Sequence, residues 1–93
     1  MLISFADNKT KKIWNGEAVK GISLEIQTVA RRKLRMLNNS QSLFDLKIPP
    51  SNRLEKLKGK FKDHYSIRIN NQWRIIFIWN EGNAEQIQII DYH

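Results

Sequence analysis

The feature that most constrains the fold is a two-residue alternation that fills the second half of the chain and breaks twice at turn residues. Tyr65, Ile67 and Ile69 alternate with Ser66 and Arg68. In the next run Trp73, Ile75, Phe77 and Trp79 fall on one side, and Arg74, Ile76 and Ile78 on the other. Successive side chains of a strand point to opposite faces, so each run reads as a strand with one wholly apolar face. Asn70-Asn71 separates the two runs, and Asn80-Glu81-Gly82-Asn83 follows the second. Asparagine and glycine tolerate positive φ, so both breaks predict tight turns. Residues 84–90 supply a final strand. Arg53-Leu54-Glu55-Lys56-Leu57 opens the series, with Leu54 and Leu57 directed inward. The expected unit is an antiparallel meander.

Upstream the period changes. Ile26, Val29, Ala30, Leu34 and Leu37 recur at spacings of three and four after Ser23, which predicts an amphipathic helix ending near Asn38-Asn39. Glu25 in its first turn and Arg31, Arg32, Lys33 and Arg35 later suit the helix dipole. Those basic residues lie mostly off the apolar stripe, as a solvated face or as a contact for an acidic partner or RNA phosphates. A shorter helix is expected over residues 9–14, capped by Asp7 or Asn8 and ended by Gly16. Residues 1–5 read as a first strand and 42–46 as one helical turn. The paired Pro49-Pro50 predicts an extended crossing over 47–52. Two helices before an antiparallel sheet give an α+β fold, with the N-terminal helices on one face of a curved, mainly antiparallel sheet. The other face is expected to stay free as a concave platform. At 93 residues the chain fits a single domain over 1–93.

Lys and Arg total 16 against 9 for Asp and Glu, a net charge of +7. An excess of that size on so small a domain points to a polyanionic partner. Arg53, Lys56, Lys58, Lys60 and Lys62 crowd into one ten-residue stretch with only Glu55 against them. No cysteine is present, so disulfides and thiolate metal sites are excluded. Two histidines without helical ligand spacing give no metal site and no resident cofactor is implied. Gly-rich phosphate loops and G-x-S-x-G elbows are absent. No apolar run approaches the roughly 20 residues that span a bilayer, and residues 1–5 lack the form of a signal peptide. A cytoplasmic protein without a membrane partner is expected.

The chain closes on Asp91-Tyr92-His93: a carboxylate, a phenol and an imidazole behind an apolar strand. Metal-free RNA cleavage needs such parts. A base takes the proton of a ribose 2′-hydroxyl, that oxygen attacks the adjacent phosphate, and an acid protonates the leaving 5′-oxygen while cations hold the phosphate charge. The imidazole of His93 has an ordinary pKa suited to acid/base work near neutrality, or it is a dangling terminal residue. Tyr92 can stack on a base or close the edge of the core. Asp91 can orient a donor or pair with a lysine. Arg74, mid-strand among apolar residues, must be paired or face a pocket, as a phosphate clamp or a structural salt bridge. Arg53, Lys56, Lys58, Lys60 and Arg68 are candidate phosphate ligands. His64, at the start of a strand, reads as structural.

These residues resemble a known family. The order of elements is similar to that of the HigB-type toxins of the RelE/ParE superfamily, the plasmid-maintenance killer proteins of bacterial toxin–antitoxin pairs. The resemblance rests on residues 1–5, Ala30-Arg31-Arg32-Lys33-Leu34, 43–50, Asn52-Arg53-Leu54 and Leu57-Lys58-Gly59. Tyr65-Ser66-Ile67-Arg68-Ile69-Asn70, Gln72-Trp73-Arg74-Ile75 and the terminal Asp91-Tyr92-His93 carry it further. It implies a RelE-like fold and a ribosome-dependent, metal-independent mRNA endonuclease that cuts in the A site of the small subunit and inhibits translation. It implies a HigA-like helix-turn-helix antitoxin, with operator DNA met only through that antitoxin. By residue match His93, Tyr92 and Asp91 fall on the family's active tail, Arg74 on its sheet arginine, and Lys56 and Lys58 on its basic strand and loop. Some members carry histidine where this chain has Glu55, which leaves Glu55 a weak candidate and shifts the burden to His93. The alternatives are a ParE-like gyrase inhibitor without nuclease activity, and an attenuated toxin acting mainly in a regulatory complex with its antitoxin.

Overall fold

In a computed structural model, which describes residues 1–92, the elements follow in the expected order. Helix α1 spans Asn8–Trp14 and α2 spans Leu24–Asn39. Strands β1 (Glu55–Lys56), β2 (Tyr65–Arg68), β3 (Trp73–Asn80) and β4 (Asn83–Asp91) form one antiparallel sheet in the order β1-β2-β3-β4.

The helices start where the sequence offers side-chain acceptors. Asp7 Oδ1 accepts from Thr10 N at 2.8 Å, and Ser23 Oγ accepts from Ile26 N at 3.2 Å. These caps satisfy amides that have no partner within the helix. Ala30, Leu34 and Leu37 of α2 and Ile13 of α1 are fully buried against Ile67, Ile75, Phe77, Ala84 and Ile87 of the sheet. Tyr65, Trp73 and Trp79 pack at the margin of the same core. The apolar stripe is less pure than the sequence suggests. Gln27 is buried within it because its amide is satisfied by Val19 N, Val19 O and Ile22 O. Thr10 of α1 is also buried, and its Oγ1 accepts from Ile89 N at 2.9 Å.

Three expectations need correction. Residues 1–5 do not form a regular strand but make two isolated parallel bridges with β4, Leu2 to Ala84 and Phe5 to Ile87. The cause is a bulge: the β3–β4 register shifts between Ile76 and Ile78, where Gln86 takes φ 52. Its amide turns to Ser4 Oγ at 2.9 Å. The extra residue lets Ala84, Ile87 and Ile89 share the core face although their spacing breaks the two-residue period. Second, the 47–52 crossing is not extended, because Pro50–Asn52 closes a 3-10 turn. Third, the Asn70-Asn71 turn uses no positive φ, since neither residue is in the left-handed region. Asn70 Oδ1 instead accepts from Gln72 N at 2.9 Å and Trp73 N at 2.8 Å. At the other turn Glu81 and Gly82 both have positive φ, as a two-residue hairpin requires.

Candidate active site

The sheet face turned away from the helices is closed at its centre rather than open. Ser66 and Ile76 are fully buried there, and Arg74 is only 8% exposed. The free platform expected from the alternation is therefore reduced to the margin where β1, the following loop and the chain end meet.

Arg74 is the centre of that margin. Its Nη1 donates to Ser66 Oγ at 2.8 Å and to the carbonyl oxygen of Arg53 at 3.3 Å. Its Nη2 is ion-paired with Glu55 Oε1 at 3.2 Å, and the guanidinium carbon lies 5.0 Å from the centroid of the Tyr92 ring. Register explains the grouping. Glu55 stands opposite Ser66 in the β1–β2 ladder, and Arg68 opposite Arg74 in the β2–β3 ladder, so these residues share a face. Of the alternatives left open for Arg74 the salt bridge is present, and its contacts Glu55 and Tyr92 set the guanidinium behind the wall of a cleft. That cleft, of about 320 Å³, is lined by Glu55, Lys56, Leu57, Lys58, Phe61 and Tyr92.

Tyr92 is held by its own amide, which donates to Gln72 O at 2.6 Å, while its side chain remains 40% exposed. Asp91 does not join Tyr92 over Arg74. It stands opposite Trp73, and its Oδ2 accepts from Gln72 Nε2 at 3.1 Å. Strand alternation sends these two neighbours to opposite faces. Lys56 Nζ lies 4.7 Å from the Tyr65 ring centroid, and Lys60 Nζ lies 5.2 Å from that of Phe61. Arg68 is hydrogen-bonded to Asn71 away from the cleft. Arg53 contributes its carbonyl oxygen to Arg74, while its side chain is exposed. His64 packs edge-on against Phe61 at 5.2 Å, with a buried Nδ1 that has no hydrogen-bond partner among the described residues. The leading acid/base candidate, His93, lies outside the described residues.

Ser66 is the site residue that the sequence reading missed. Its signal was a small hydroxyl in an apolar strand, diagonal to Arg74. Among the described residues no group of three or more His, Cys, Asp or Glu converges as metal ligands would. Among the described residues no helix is long and apolar enough to cross a membrane.

Comparison with known proteins decides the family. The model of the HigB-like toxins, described as RelE-like toxins of type II toxin–antitoxin systems, matches residues 3–93. The chain belongs to this family. Among relatives of this HigB-like toxin is Toxin HigB-1 of Vibrio cholerae, 46% identical over 63 residues, which span 68% of the chain and 66% of the relative. A Haemophilus influenzae protein without an assigned role is 34% identical over 74 residues, spanning 80% of the chain and 73% of that protein. Solved structures extend the likeness at the level of fold. The YoeB–YefM complex of Staphylococcus aureus matches with a TM-score of 0.63 at 16% identity, covering all of this chain and 98% of that one. A point mutant of YafQ from E. coli matches with a TM-score of 0.61 at 11% identity, covering 98% of this chain and 93% of that one. The HigB-like toxin thus has the α+β fold of the RelE-like toxins.

Proposed function

We propose that this toxin acts as a ribosome-dependent mRNA endonuclease that cuts in the A site without a metal and so inhibits translation. The observation that carries the reading is the Arg74–Glu55–Tyr92 cluster at a cleft flanked by Lys56 and Lys58. A guanidinium fixed by three acceptors holds positive charge close behind the cleft wall with little reorganisation. A half-exposed phenol ring over it offers a stacking surface for a base. His93 then serves as acid/base, Asp91 orients the tail through Gln72, and Arg53, Lys56, Lys58 and Lys60 gather the RNA backbone. The ribosome supplies what so small a chain lacks, namely further RNA contacts and a positioned mRNA. The proposed partners are the ribosome with its mRNA and a HigA-like helix-turn-helix antitoxin, which alone contacts operator DNA. The setting is the bacterial cytoplasm.

The test is cleavage in a translating extract, mapped by primer extension, beside naked RNA and a His93→Ala variant. Cuts within codons that need the ribosome and vanish in the variant are expected. Absence of cuts from a folded wild-type protein overturns the reading and turns attention to gyrase inhibition or a purely regulatory complex.

A further inference from the structure

Beneath the site lies a polar contact that the surface chemistry does not use. Lys33, among the inward-facing residues of α2, is only 6% exposed. Its Nζ donates to Asn52 Oδ1 at 2.5 Å. Among the described residues no carboxylate pairs with it. Burial, with a further push from Arg32, lowers its pKa below the ordinary 10.5. An ammonium withdrawn from water without a counter-charge is costly, and an apolar side chain of similar volume would fill the place at less expense.

What the contact holds is the segment leading into the site. Asn52 is fully buried, and its Nδ2 donates to Leu46 O at 3.1 Å. The next residue, Arg53, takes φ 46 and ψ 56, and its amide closes on Pro50 O at 3.0 Å. Its carbonyl is thereby aimed at Arg74 Nη1, and two residues on Glu55 meets Arg74 Nη2. Residues 52–55 thus provide two of the three acceptors that fix the guanidinium under Tyr92.

We propose that Lys33 is a positioning residue of the active site, acting through Asn52 to set the Arg53 carbonyl and Glu55 around Arg74. The proposal rests on the nuclease reading for its kinetic consequence but not for its geometric one. The experiment therefore has two arms, using wild type, Lys33→Met, and Val29→Ala as a control that weakens packing on the same helix. In the first arm, NMR follows the Arg74 guanidinium and Tyr92 ring resonances. Lys33→Met is expected to shift both, and Val29→Ala neither. In the second, saturating single-turnover cleavage on ribosomes is expected to fall roughly 10- to 100-fold in Lys33→Met, with half-saturation unchanged, because a misplaced group slows the step without weakening docking. Lys33→Gln, which keeps a donor, should recover part of both signals and replaces Lys33→Met if that variant does not fold. Resonances of Arg74 and Tyr92 at wild-type positions in the folded variant overturn the proposal, whether or not the wild type cuts RNA. Equal effects in Val29→Ala overturn it as well. Loss of cleavage in the wild type alone bears on the nuclease reading.

Discussion

Ser66→Ala isolates the hydrogen bond that anchors Arg74. Ser66 is fully buried and its Oγ lies 2.8 Å from Arg74 Nη1, the shortest of that side chain's contacts. A hydrogen bond to a charged group contributes about 1.5–3 kcal/mol. Nη1 keeps its longer bond to Arg53 O at 3.3 Å, which places the expected loss near the lower end, at about 1.5–2 kcal/mol. Removing one oxygen opens little space, so packing adds little to that figure. In a domain of this size each kcal/mol moves Tm by about 4–8 °C, so a fall of roughly 6–16 °C is expected. Urea titration followed by circular dichroism supplies the free energies, and a double-mutant cycle with Arg74→Met separates the bond from everything else that Ser66 does. In the Arg74→Met background Ser66→Ala should cost at least about 1 kcal/mol less than in the wild type. A coupling energy below about 0.5 kcal/mol would mean that Ser66 does not hold the guanidinium, and the reasoning about the anchored charge would fail with it.

Alkaline pH should stabilise the protein through Lys33. Its pKa is lowered in the fold from 10.5, so between the lowered value and 10.5 the unfolded chain binds more protons, and stability rises with pH. Melting curves in that window should show the rise in the wild type and lose it in Lys33→Met. Gln86→Gly should stabilise the fold by about 0.5–1 kcal/mol in chemical denaturation, because relief of the left-handed backbone exceeds the entropy glycine adds to the unfolded chain. Lys58→Ala should weaken ribosome binding and reduce its dependence on log salt by roughly one counterion, measured by titration at several salt concentrations. An unchanged slope would remove Lys58 from the RNA path.

The sheet and both helices were legible because their periods are long and clean: Trp73, Ile75, Phe77 and Trp79 for β3, and Ala30, Leu34 and Leu37 for α2. Cap and turn positions were legible too, since Asp7, Ser23 and Gly82 do chemistry that few residues can do. The burial of Lys33 was hidden because three neighbouring arginines, Arg31, Arg32 and Arg35, made it look like one more member of a solvated face. Its partner, Asn52, is 19 residues away, and no local pattern links them. The Gln86 bulge was hidden for a similar reason: its amide is satisfied by Ser4, at the far end of the chain. The meeting of Arg74, Glu55 and Ser66 depends on ladder register, which periodicity constrains only to odd or even. Arg74 was marked by its isolation among apolar neighbours, while Ser66 was not.

The bulge at Gln86 also decides where this chain can change length. Phe77 faces the two residues Gln86 and Ile87 where a regular ladder would present one. Losing Gln86 would pair Phe77 with Ile87 and leave every later partner in place. Between Ile87 and Tyr92 there is no such slack: the ring above Arg74 lies five positions beyond a core side chain, and an odd offset is what puts the two on opposite faces. One residue gained or lost there would set Tyr92 towards the helices and bring its neighbour over the guanidinium. Insertions and deletions are therefore neutral to the chemistry on one side of Ile87 and rewrite it on the other.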